Sequence, residues 1–167
     1  VEHFVEKIRK ELWVVRGKKI ALWGLAFKPN TDDVRFAPSI ALVKALLAEG
    51  AAVRAYDPEA SEKARAILPE VSYCADPYQA AEGADAILIV TEWDEFRQID
   101  WERLLSAVEQ PLVIDGRNMF SPEEIGRKGF RYVSIGRVDA SPWRPTTDEQ
   151  TDGLPPRAGG GVQEVPA

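Results

Sequence analysis

The chain has 167 residues, the size of one domain with a small appendage at roughly 100–200 residues per domain. A net charge of −6 with 29% charged residues lacks the basic footprint of a general nucleic-acid binder and leaves room for a locally read anion. One cysteine and one histidine exclude an internal disulfide framework, a Cys-rich zinc site and most Ser–His chemistry.

Along the chain, Phe4, Val5, Ile8 and Leu12 recur at near-helical spacing and predict an amphipathic helix over 1–16, closed by Gly17. It opens in mid-pattern, as expected of a chain cut from something longer. Lys18 to Gly24 reads as a short buried strand. Pro38 to Gly50 follows as a helix, Ala51 to Tyr56 as a strand broken by Asp57-Pro58, and Ser61 to Leu68 as a helix. Val71 to Cys74 is a short strand, Pro77 to Gly83 a short helix, and Ala86 to Val90 the clearest buried strand. Asp100 to Val108 is predicted helical, Pro111 to Ile114 a strand, and Ser121 to Lys128 a helix. The Ser-Pro-Glu-Glu opening of that helix supplies an N-cap, a proline at the first position and acids in the first turn. Arg131 to Ile135 is the last strand. Repeated β-α-β units with continuous apolar strands predict a Rossmann-like α/β/α domain with a mostly parallel sheet over 18–136. Residues 137–167 hold five of the twelve prolines and four of the twelve glycines, and are expected to form a flexible tail.

No run approaches the 18 or so apolar residues of a membrane span, and the start lacks the pattern of a signal peptide. The chain therefore reads as cytoplasmic. In an open α/β sheet, ligands bind beyond the carboxyl ends of the strands, where strand order reverses. That rule selects three loops, Gly24–Arg35, Thr91–Asp94 and Asp115–Asn118. The first carries one glycine where a dinucleotide fingerprint needs three, and it is not a P-loop. Phe27 and Lys28 in it read either as a packed aromatic beside a solvated lysine or as a flat surface beside a point charge for an anion. Cys74 reads as a buried structural cysteine, His3 as a solvated or packing residue, and Trp93 as sheet-edge packing rather than cleft lining.

The segment Gly24-Leu-Ala-Phe-Lys-Pro-Asn-Thr-Asp-Asp-Val-Arg35, with Ala37-Pro38-Ser39 behind it, closely resembles a signature of the UDP-glucose dehydrogenase family. Tyr56-Asp57-Pro58, Thr91-Glu92-Trp93 and Asp115-Gly116-Arg117-Asn118 follow in the same order, and the resemblance covers 18–136. It implies a C-terminal UDP-sugar-binding domain, with residues 1–17 as the end of an inter-domain helix. The complete enzyme then oxidises UDP-glucose to UDP-glucuronate with two NAD and forms a homodimer or higher assembly. Its NAD site and cysteine nucleophile lie outside this chain, which is expected to be inactive alone. Position by position, the resemblance makes Phe27, Lys28 and Arg117 contacts to the UDP-sugar. It makes Arg35 a contact to the NAD held by the other domain. Asp32 and Asp33 are expected to screen Arg35 and shape the loop. The same domain of a UDP-N-acetylhexosamine dehydrogenase is one alternative. A stand-alone nucleotide-binding or interaction module is another, disfavoured because the stripe at Phe4, Val5, Ile8 and Leu12 is expected to find no partner in so small a domain. No nucleic-acid or membrane partner is expected.

Overall fold

Ile20, Ala21, Leu22 and Trp23 are all at most 1% exposed, because helices cover both faces of the strand that carries them. A computed structural model describes residues 1–135; the predicted tail at 137–167 lies outside the described residues. Among the described residues, six strands form one sheet: β1 (Lys19–Trp23), β2 (Ala52–Tyr56), β3 (Ser72–Tyr73), β4 (Ala86–Ile89), β5 (Leu112–Asp115) and β6 (Arg131–Ser134). Their order is β3-β2-β1-β4-β5-β6, and every pairing is parallel. This is the strand order of a doubly wound sheet, with the reversal between β1 and β4.

Six α-helices of the described residues pack on it: α1 (Glu2–Leu12), α2 (Pro38–Ala48), α3 (Ser61–Ile67), α4 (Pro77–Ala81), α5 (Trp101–Ala107) and α6 (Pro122–Arg127). Right-handed crossovers from β1 outward and from β4 outward put helices on opposite faces. Accordingly α1 packs beside α2, and α4 beside α5. The helix starts are coded locally. Asp76, Asp100 and Ser121 accept from the backbone N–H groups of Gln79, Arg103 and Glu124, and Pro38, Pro77 and Pro122 stand in the first turns. In the core, Trp23 stacks on Phe96 with ring centroids 5.2 Å apart and donates its indole N–H to the Pro77 carbonyl at 3.1 Å.

Two expectations change. The first helix ends at Leu12, not residue 16, because Trp13 turns left-handed with φ 62° and bonds back to the Arg9 carbonyl. Val14 and Val15 then leave the helix, as β-branched residues readily do, and Val15 enters the core. The apolar stripe is also not unpartnered: Phe4, Val5 and Ile8 are buried in this domain's own core. Across the helix, the Glu11 carboxylate grips Arg131 of β6 at 2.7 and 3.0 Å, and the Lys7 ammonium donates to the Ser134 carbonyl. The stripe thus gives no ground against a stand-alone module. A turn of 3-10 helix at Asp94–Gln98 was not predicted; it seats Phe96 against Trp23. Among the described residues, no helix is long and apolar enough to cross a membrane.

Candidate functional site

The reversal between β1 and β4 opens the crevice that the strand-order rule selects, and the loops after these two strands are sewn together. Gly24 has φ 97°, and a Cβ there would lie 2.5 Å from both the Cβ and the backbone nitrogen of Thr91. Only glycine permits that approach. The Thr91 hydroxyl then donates to the Ala26 carbonyl at 2.7 Å, and the Ser39 hydroxyl to the Leu25 carbonyl at 2.6 Å.

Beneath them sits Asp57, 4% exposed, at the end of β2. Its Oδ2 accepts from the backbone N–H groups of Leu25 and Ala26 at 2.7 and 2.9 Å and from the Trp93 indole at 3.1 Å. Its Oδ1 accepts from Glu59 and Ala60 at 2.8 Å each. In dinucleotide-binding sheets an acidic side chain near this place holds a ribose. Here the carboxylate is fully engaged by the protein's own loops, and with a single glycine in the first loop this sheet edge forms no dinucleotide cradle.

Asp115, at the end of β5, repeats the device. Fully buried, it accepts from the Arg117 and Met119 N–H groups at 2.8 Å each and from the Tyr132 hydroxyl at 2.6 Å. Two buried carboxylates therefore set the loops that carry Phe27-Lys28 and Arg117. Sequence reasoning placed both aspartates in motifs without giving them this role. Their signal is an acidic residue ending an apolar strand, where a buried charge demands several donors.

From this scaffold the candidate contacts emerge. Leu25 and Ala26 are buried, whereas Phe27 is half-exposed and Lys28 exposed. Arg117 lies back across the β4 loop: its Nε donates to the Val90 carbonyl at 2.7 Å and sits 3.1 Å from a Glu92 carboxylate oxygen. It borders a cavity of about 130 Å³ walled by Phe4, Pro38, Leu42, Val90 and Gly116. That is smaller than the roughly 300–1,000 Å³ of a complete small-molecule pocket.

The Arg35 guanidinium forks onto Asp33 at 3.0 and 2.9 Å, as expected of a screening carboxylate. Asp32 instead pairs with Lys63 at 3.0 Å. The Arg35 side chain and backbone N–H hold the Asp33 carboxyl down to about 2. Because the folded value is depressed, the pair is intact above the ordinary carboxylate range and is lost as pH falls through about 2. A carbon-detected titration of the Asp33 carboxyl is expected to give a midpoint near 2; a midpoint near the ordinary aspartate value of about 3.9 would show that the fork does not persist in solution.

Of the remaining expectations, Trp93 is buried as packing, with the added polar tether to Asp57. His3 is exposed. Cys74 is only partly buried, because β3 is a two-residue edge strand with one neighbour.

A doubly wound α/β sheet with a crevice at its strand-order reversal is an architecture shared by many nucleotide-binding proteins. The description of the UDP-glucose/GDP-mannose dehydrogenase family, UDP binding domain, matches residues 21–122. The chain is 52% identical over 125 residues to the UDP-glucose 6-dehydrogenase of Rhizobium meliloti, covering 75% of this chain and 29% of that protein. Among solved structures, a UDP-glucose dehydrogenase from Pyrobaculum islandicum superposes with a TM-score of 0.62 at 36% identity, over 70% of this chain and 26% of that one. A UDP-D-ManNAc dehydrogenase from Pyrococcus horikoshii gives 0.64 at 29% identity, over 81% and 30%. The chain belongs to the UDP-glucose/GDP-mannose dehydrogenase family, and the match falls on its UDP-binding domain. It spans about 29% of the length of the Rhizobium relative.

Proposed function

We propose that this chain is the UDP-sugar-binding part of an NAD-dependent UDP-glucose 6-dehydrogenase. The reaction takes UDP-glucose, two NAD+ and water to UDP-glucuronate, two NADH and protons. The observation that carries the reading is the pair of cations, Lys28 and Arg117, on loops fixed by buried Asp57 and Asp115 beside the β1–β4 reversal. A diphosphate needs such preplaced positive charge, and the half-exposed Phe27 ring offers an apolar face beside it. UDP-glucose is preferred to an N-acetylated UDP-hexosamine because the named UDP-glucose dehydrogenases reach 52% and 36% identity and the amino-sugar enzyme 29%.

NAD, when bound, accepts the hydrides. The residues present do not cradle it within this sheet, so the bulk of its site belongs to the rest of the protein. What this chain offers it is the exposed Arg35, a planar donor suited to a pyrophosphate. The full-length protein is read as cytoplasmic and as a homodimer or larger assembly.

The test is calorimetric titration of the full-length protein with UDP-glucose. Lys28→Ala and Arg117→Ala are each expected to weaken binding by roughly 10- to 150-fold, the loss of a charge-assisted hydrogen bond worth about 1.5–3 kcal/mol. Unchanged affinity in both variants would remove the two cations from the site and the reading with them.

A further inference from the structure

The loop between β1 and α2 displays a cation and an aromatic ring twice. Phe27-Lys28 is the first pair and Arg35-Phe36 the second. The Phe27 N–H donates to the Asp33 carbonyl at 2.7 Å, closing the intervening segment so that both pairs spring from its base. The second pair forms the tip of a separate turn, in which the Ala37 N–H donates to the Val34 carbonyl at 3.2 Å. Val34 and Ala37 are buried on either side, while the Arg35 side chain is 82% exposed and Phe36 is 96% exposed.

Phe36 is wrong for its place on two counts. Its φ is 57°, and a positive φ in the third position of a turn selects glycine or asparagine. Asn30 and Asn118, the other left-handed non-glycine residues of the site loops, obey that preference. Trp13 shares the conformation, but at the end of α1, where helices commonly terminate in a left-handed residue. A large apolar ring held in a strained conformation and fully in water contributes nothing to this fold. Strain of this kind concentrates where a ligand is gripped.

The geometry points to Phe36 as a ring-stacking contact for the dinucleotide, its face laid against a planar ring of NAD while the adjacent guanidinium serves the phosphates. The two side chains match the two parts of a nucleotide, a flat heteroaromatic ring and an anion. The repetition of the pair on one loop fits a protein that holds two nucleotides at once. This inference rests on the reading of Arg35 given above.

Equilibrium binding of NADH to the full-length protein, read by calorimetry, tests it. Phe36→Gly is expected to weaken NADH binding by about 5- to 20-fold and to leave UDP binding unchanged. Phe36→Tyr, which keeps the ring, stays within about twofold of the parent. Over the same comparison, the Tm of the 167-residue chain holds or rises by about 2–4 °C with Phe36→Gly, because the strain is released. If Arg35→Ala weakens NADH binding and Phe36→Gly does not, the stacking contact is wrong and the reading of Arg35 stands. If neither variant weakens it, both are wrong. A Phe36→Gly protein that loses UDP and NADH affinity together would show a ring packed on protein, which also overturns the proposal.

Discussion

Replacing Asp57 with alanine is expected to destabilise the domain by about 3–5 kcal/mol, the range for removing one partner from a buried charged network. Five donors converge on this carboxylate: four backbone N–H groups on two loops and the Trp93 indole. All lie where the loops leave the strand ends, and Leu25, Ala26 and Ala60 are at most 1% exposed. Alanine leaves those donors without an acceptor, and water can reach only some of them. Asparagine is expected to do less damage, since its oxygen keeps one half of the set while its NH2 group faces the other donors. Urea unfolding of the purified chain measures the loss. Hydrogen exchange at Leu25 and Ala26 locates it, because these amides lose their acceptor directly. A shift below about 1 kcal/mol, typical of an ordinary neutral hydrogen bond, would mean that the loops hold themselves and Asp57 merely fills space.

Gly24→Ala is the second large effect, at about 2–5 kcal/mol from backbone strain and overpacking together. The added methyl would sit 2.5 Å from the Thr91 backbone nitrogen and 2.7 Å from its hydroxyl. Thr91 has little freedom to retreat, being fully buried and bonded to Ala26, while the preceding Val90 N–H bonds to the Trp23 carbonyl at 2.9 Å. Gly17 provides the control. Its φ of 76° is also left-handed, but nothing lies within 4 Å of its imagined Cβ. Gly17→Ala is therefore expected to cost only the backbone component, about 1–2 kcal/mol. Chemical denaturation of the two variants side by side separates strain from collision; equal losses would show that the contact with Thr91 relaxes freely.

The sheet was legible because its strands are buried on both faces, so apolar runs such as Ala86–Ile89 announce themselves without any need for alternation. Helix starts were legible wherever chemistry is local, as at Ser121-Pro122. Ends were less so: the helix after Ser121 stops at Arg127 and the first helix at Leu12, since fraying and left-handed caps leave weak marks in sequence. The candidate cations Lys28, Arg35 and Arg117 came from a resemblance; the first two stand on the loop that leaves β1 at the reversal, and Arg117 leaves β5 and reaches back to the Val90 carbonyl. What supports those loops was not legible. Asp57 reaches partners 31, 32 and 36 residues away, and no periodicity encodes a bond between loops of different strands. The burial of the first helix was missed for a similar reason, because its partners lie on α2 and on the last strand, distant in sequence.

That last arrangement has a consequence for synthesis. The Glu11–Arg131 and Lys7–Ser134 bonds join the first helix to the last strand across 120 and 127 residues. During translation at about 5–20 residues per second, Glu11 and Lys7 therefore wait roughly 6–25 s for their partners on β6. Until β6 leaves the ribosome, the helix can lodge only beside α2, through contacts such as Arg9–Glu49, and its two bonds to the last strand are unmade. The unit therefore completes its fold as a late closure, when the last strand meets a helix already lodged beside α2.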